Sequence, residues 1–159
     1  MRCKNAASLA TKVNFEMSNK TENKEALAWA RKKLRKAVDE TIQRGVFVDR
    51  VVEAKPIWVL HEKVAIGQAR EASNPDVFVW IICGELPTDH IGSAAAATPR
   101  DALRHFALKW QMDAERYEIP AVRKSHGWPE DKDISHLTDQ LIAKAEEIYA
   151  IAEDDSLWS

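Results

Sequence analysis

The residues of this chain best suited to chemistry are concentrated in one stretch, Gly84-Glu85-Leu86-Pro87-Thr88-Asp89-His90, with His105 a little further on. A carboxylate set beside an imidazole can fix its tautomer and raise its basicity. Asp89 and His90, with Glu85 as a second acid, are therefore a candidate general-base group. Arg100 stands at the start of the next predicted helix, where the helix dipole also favours negative charge, so it could hold an anionic group. Asp101 competes for the same positive end. His61, His90, His105, Asp89 and Glu85 include metal-ligand types but lack a zinc-like spacing, so neither a metal nor another cofactor is implied. No GxSxG elbow, HExxH helix or glycine-rich phosphate loop accompanies them. A structural use competes with all of these roles: Asp89 can cap a turn, Pro87 can fix the chain's exit from a strand, and Gly84 and Gly92 can relieve strain.

Whatever chemistry exists must be positioned by the surrounding elements. Apolar residues at Leu27, Ala30, Leu34, Ala37, Val38 and Ile42 predict an amphipathic helix over 24–44, stopped by Gly45. The basic run Arg31–Lys36 reads as its solvated face. Strands are expected at 50–54, 57–61, 64–70 and 77–83, joined by short connections in an antiparallel meander. His61-Glu62-Lys63 predicts a tight turn, and residues 72–76 a longer polar one. Pro56 predicts an edge or a break, because proline cannot donate to a ladder. Val77–Cys83 is apolar at every position, which predicts a central strand covered on both faces. The chemical stretch is then the exit of that strand.

Thr98-Pro99-Arg100-Asp101 combines an N-cap, an N1 proline and a capping acid, predicting a helix over 99–118 with Leu103, Phe106, Trp110, Ala114 and Tyr117 on one stripe. Residues 120–133 read as a loop. A last helix over 134–152 carries Leu137, Leu141, Ala145, Ile148 and Ala152, and a polar tail follows from Asp154. Residues 24–44 hold seven basic and three acidic side chains, whereas 130–155 hold nine acidic and two basic. The two helices are expected side by side, steered by pairs worth about a few tenths of a kcal/mol each.

Composition narrows the classes of function. With 159 residues, 45% hydrophobic and 30% charged, the chain suits one globular domain, and a net charge of −2 gives no general attraction to nucleic acid or anionic membrane. No apolar run approaches the roughly 20 residues of a membrane span. Cys3 and Cys83 form no disulfide or CxxC pattern, and Cys83 reads as a buried free thiol. Residues 1–16 lack a secretory h-region. They are expected to be an extension or a mis-assigned start ahead of Met17, so that residues 1–23 form a flexible N-terminal extension. The protein is expected to be soluble. Of the six tryptophans, Trp58, Trp80 and Trp110 are expected in the core, and Trp128 and Trp158 exposed as candidate interface anchors.

The segments Phe47–Ala54, Ala65–Arg70, Cys83–His90 and Pro99–Leu103 together resemble a family of small bacterial domains with no assigned function, over roughly residues 25–150. The resemblance implies a bacterial cytosolic α+β protein and transfers no catalytic residue.

The sequence therefore predicts an α+β domain over 24–153, with a three- or four-stranded, mainly antiparallel sheet packed on about three helices. The favoured function is a non-enzymatic binding or accessory domain, regulatory or inhibitor-like. Its contact surface would lie near Glu85–His90, Arg100, His105 and Trp128, and its partner would be a protein or a small anionic ligand. The alternatives are a small hydrolase or lyase using Asp89 and His90, and, last, nucleic-acid binding through the basic first helix.

Overall fold

The computed structural model describes residues 10–12, 20–119, 121 and 134–159. Along these residues the elements run β1 (Ala10–Lys12), α1 (Lys20–Gln43), β2 (Val51–Leu60), β3 (Val64–Glu71), β4 (Asn74–Gly84), β5 (Asp89–Gly92), α2 (Pro99–Tyr117) and α3 (Ile134–Glu153). Short 3-10 turns occupy Ser93–Ala95 and Asp155–Leu157. The strands form one antiparallel sheet in the order β1-β2-β3-β4-β5. Alpha helix α1 covers one face, and α2 with α3 cover the other, which is the α+β arrangement expected. Among the described residues no helix is long and apolar enough to cross a membrane.

The meander follows from its turns. Lys63 N donates to Leu60 O at 3.0 Å, and Glu62 takes φ 63° to close the first hairpin. The second is tighter than expected: Asn74, Pro75 and Asp76 belong to β4, leaving only Ala72 and Ser73 between the paired residues Glu71 and Asn74. The two strands expected on either side of Pro56 are one. β1 covers only Trp58–Leu60, so Pro56 lies where β2 has a neighbour on one side alone, and the register with β3 shifts between Pro56 and Trp58. The predicted break is thus a bulge on an open edge, where a missing N–H is tolerated.

β3 is the middle strand, and β4 is interior, flanked by β3 and β5 and covered on both faces along its second half. Only Trp80–Cys83 of β4 are buried, while Val77 is 48% exposed, because helix coverage stops short of the strand's first half. The expected side-by-side pairing of a basic first and an acidic last helix does not occur. The sheet separates α1 from α3, and the acidic end of α3 pairs instead with α2 and its flank, through Arg104 to Glu153 at 2.7 Å and Arg100 to Asp155 at 2.6 Å. Apolar stripes decide where each helix lies, since exposed ion pairs are too weak to do so.

On α1 the buried stripe is Ala26, Ala30, Leu34, Ala37, Val38 and Thr41; Ile42, expected within it, is 45% exposed. Thr41 fits because its hydroxyl donates to Ala37 O at 2.7 Å. On α2, Asp101 N donates to Thr98 Oγ1 at 3.1 Å, the cap read from sequence. Trp58, Trp80 and Trp110 are all buried beneath α2 and α3, as expected. The chain end is not a tail: Leu157 is buried in the same core, Trp158 stacks on Trp58 at 4.1 Å, and Trp158 Nε1 donates to Ile151 O at 3.0 Å. Burial of two apolar side chains outweighs the polarity of their neighbours. The stretch expected as an N-terminal extension supplies β1 and the first turn of α1. The remainder of that stretch, and the 122–133 segment with His126 and Trp128, lie outside the described residues.

Candidate functional site

The site is built at the turn between β4 and β5. Gly84 ends β4 with φ 125°, and a Cβ there would stand 2.5 Å from Lys63 O, so only glycine fits. Glu85 N then donates to Lys63 O at 2.9 Å. The chain passes over Leu86, Pro87 and Thr88 and returns as β5, pairing Asp89 with Ile82 and His90 with Ile81. Residues paired across antiparallel strands share a face, and neighbours along a strand do not. Ile82 belongs to the core under α2 and α3, and Ile81 to the core under α1. Asp89 therefore faces the α2–α3 layer and His90 the α1 layer.

That alternation separates the expected acid–base pair. Asp89 Oδ2 accepts from Lys109 Nζ at 2.7 Å and from Trp110 Nε1 at 2.9 Å, and its Oδ1 accepts from the backbone N–H of His90 at 2.8 Å. The His90 Nδ1 atom lies 3.9 Å from Oδ1, beyond hydrogen-bond reach, and has no partner among the described residues. Burial holds the His90 pKa below its ordinary 6.5, the pull of Asp89 notwithstanding, with Lys109 and Arg44 adding to the depression. Its basicity is lowered rather than raised, contrary to the role expected of it.

The other expected residues are dispersed. Glu85 is exposed and ties the turn down on both sides: its carboxylate meets Lys33 of α1 at 3.1 Å, and its carbonyl accepts from Lys144 of α3 at 3.2 Å. Arg100 anchors the chain end instead of awaiting an anion, donating to Ala152 O at 2.7 Å and Asp155 at 2.6 Å with its guanidinium over Trp158. His105 is half-buried on α2, and His61 packs edge-on against Trp29. Among the described residues no three His, Cys, Asp or Glu side chains gather as metal ligands. Trp128 lies outside the described residues.

What the fold assembles instead is a cluster on α2. Lys109 Nζ also donates to Asp113 at 3.2 Å, and Arg116 stands 3.6 Å from the same carboxylate. Burial opposes the charge on Lys109, but Asp89 and Asp113 outweigh it and hold the pKa above the usual lysine value. Burial, then the Asp113 charge, pushes Tyr117 upward as well. Asp89, Lys109, Asp113 and Tyr117 line a cleft of about 1050 Å³ between the β4–β5 turn, α2 and α3, whose far side carries Leu137, Gln140 and Leu141. Arg44 and Lys144 also border it. Lys109, Asp113 and Tyr117 recur at four-residue intervals beside the apolar stripe, and that polar row was the available sequence signal for this wall.

Residues 23–158 match the family described as Domain of unknown function (DUF4826), and the chain belongs to that family. No curated protein and no solved structure matches the chain.

Proposed function

We propose that this domain is a non-enzymatic binding module whose cleft between α2, α3 and the β4–β5 turn takes a small molecule with an apolar body and an anionic group. The observation that carries the reading is the cleft of about 1050 Å³ with its divided lining. Concave sites of this size with apolar walls and a few placed polar groups suit small ligands better than flat protein surfaces. The floor is internally balanced, since the two carboxylates Asp89 and Asp113 are matched by Lys109, which meets both, and by Arg116 at 3.6 Å from Asp113. Arg44 and Lys144 are each held by a backbone carbonyl, at Thr88 and Glu85 respectively, a contact that positions them without cancelling their charge. Lys144 also meets Glu147 at 3.3 Å, whereas Arg44 reaches Glu40 only at 4.0 Å, which leaves Arg44 the less neutralised of the two. Binding rather than turnover is favoured because both Asp89 oxygens are engaged and the His90 imidazole faces away from the cleft. A cytoplasmic setting in bacteria accords with the resemblance noted from sequence.

The test uses the Trp110 Nε1–H signal in proton–nitrogen correlation spectra, because that indole donates into the cleft floor. Titration with arylalkyl carboxylates and aryl phosphates is expected to move this signal and the Tyr117 ring signals. Leu141→Trp, which fills the apolar wall, is expected to abolish the shifts without unfolding the chain. Ligands that leave both signals unmoved, or bind Leu141→Trp equally well, would sink the reading.

A further inference from the structure

We infer that a second, basic pocket on the α1 side of the same turn is a phosphate subsite, so that the cleft ligand is a soluble phosphomonoester. This rests on the cleft being the ligand site. The pocket, about 360 Å³, lies between α1 and residues Gly84–Thr88. Lys33, Lys36, Glu40 and Arg44 line it, and their spacing of three, four and four residues puts them on one face of α1.

Three cations share this space with one lining carboxylate. Arg44 donates to Thr88 O at 3.0 Å and lies 4.0 Å from Glu40, so its guanidinium is fixed over the turn. Lys33 is drawn to Glu85 at 3.1 Å. Lys36 forms no ion pair among the described residues. Even after both carboxylates are counted, one positive charge remains in excess within a partly enclosed space. An anion relieves that crowding, and a phosphate dianion with three acceptor oxygens can take donors from Lys36 and Arg44 together.

The two pockets are not independent sites. Arg44, Pro87 and Thr88 border both, so the turn forms a saddle between them. A phosphate held on the α1 side lets an apolar body pass over Pro87 into the cleft toward Leu141 and Trp110. Such a ligand would use the single surplus of positive charge at one end and the apolar wall at the other, which a plain carboxylate would do less completely.

The experiment compares inorganic phosphate, phenyl phosphate and benzyl alcohol at constant ionic strength, with the amides of Gly84 and Thr88 and the Trp110 indole as separate reporters. Inorganic phosphate is expected to move only the two amides, and phenyl phosphate all three signals, with affinity about tenfold higher from its added contacts. Lys36→Glu, at an exposed position, is expected to weaken phosphate and phenyl phosphate by about tenfold or more and to leave benzyl alcohol unaffected. If phenyl phosphate moves Trp110 with unchanged affinity in Lys36→Glu, the phosphate subsite is overturned while the cleft reading survives. If inorganic phosphate moves the amides but no organic probe moves Trp110, the cleft reading fails and the joined ligand with it. Tighter binding to phosphatidic-acid vesicles than to phenyl phosphate would overturn the soluble source.

Discussion

The two faces of the sheet are built from different chemistry, and the difference decides where a site can form. Under α1 the layer is aliphatic and rich in small residues: Ala26, Ala30 and Ala37 cluster with Ala65, Ala69 and Cys83 alongside Val38, Val59 and Ile81, and Leu34 rests on Gly67. Helix and sheet approach closely, and charged groups are confined to the margin. Under α2 and α3 the layer is aromatic, with Trp58, Trp80, Phe106 and Trp110. Each buried indole N–H seeks an acceptor. Trp80 finds Ala96 O at 3.0 Å, and Trp110 finds Asp89 at 2.9 Å. An aromatic layer therefore draws a carboxylate inward, and the carboxylate draws Lys109; an aliphatic layer has no such need.

Removing the indole that links core to cleft is the largest available perturbation of this contrast. Trp110→Ala is expected to cost about 3–5 kcal/mol through the cavity it leaves. Trp110→Phe separates packing from hydrogen bonding, and Trp58 supplies the control, because its Nε1 is buried without a partner among the described residues. Both Trp→Phe changes remove the same atoms. Trp110→Phe should nonetheless cost about 1–3 kcal/mol more, since it leaves Asp89 one donor short. Urea denaturation of the two variants measures this, and equal losses would show that the Trp110–Asp89 bond does not link the core to the cleft.

On the α1 face the corresponding test is one of overpacking. A Cβ at position 67 would lie 2.8 and 2.9 Å from the Leu34 methyls and 3.0 Å from Lys55 O. Gly67→Ala is expected to destabilise by about 1–3 kcal/mol. Leu34→Ala alone should cost about 2–5 kcal/mol by leaving a cavity. The double variant should be less destabilised than the two losses together, by about 0.5–3 kcal/mol, because each change makes room for or fills the other. Simple additivity would show that close helix–sheet approach is not what holds this face.

The same contrast explains what could be read from the sequence. Helix α2 was legible at both levels, because its cap lies in four consecutive residues and its stripe has a helical period. The hairpin at Glu62 was legible for the same local reason. Pro56 was read correctly as an edge signal but not as part of one strand, since its tolerance depends on how far β1 reaches along β2. The sheet also extends past the expected strands, through β1 and β5, and β5 leaves no signal because it is only four residues long and its sequence, Asp-His-Ile-Gly, has no strand-like run. Missing β5 had a direct consequence: without strand alternation, Asp89 and His90 looked like partners. The location of Asp89 at a strand exit was readable, whereas its partners Lys109 and Trp110 come from a helix turn twenty residues away. Trp158 looked exposed because nothing near it in sequence shows that Trp58 lies beneath.

The smallest expected effect probes the other product of that alternation, His90 turned toward α1. Burial first, and then Lys109 and Arg44, hold its pKa below 6.5 against the attraction of Asp89. In the unfolded chain the imidazole takes up a proton at higher pH than in the folded one. Between the lowered folded value and 6.5 the unfolded state thus binds more protons, and stability rises with pH across that window. His90 contributes its full stability above about pH 7 and loses it as the pH falls through 6.5, with no further loss once the folded form is protonated as well. Urea midpoints at pH 7.5 and 5.5 compare the native chain with His90→Gln, whose side chain does not titrate. The variant is expected to lose less stability on acidification than the native chain. An equal or greater loss would mean that the imidazole is no harder to protonate inside the fold than outside it, and that the α1 side of the turn is open enough to hydrate the charge.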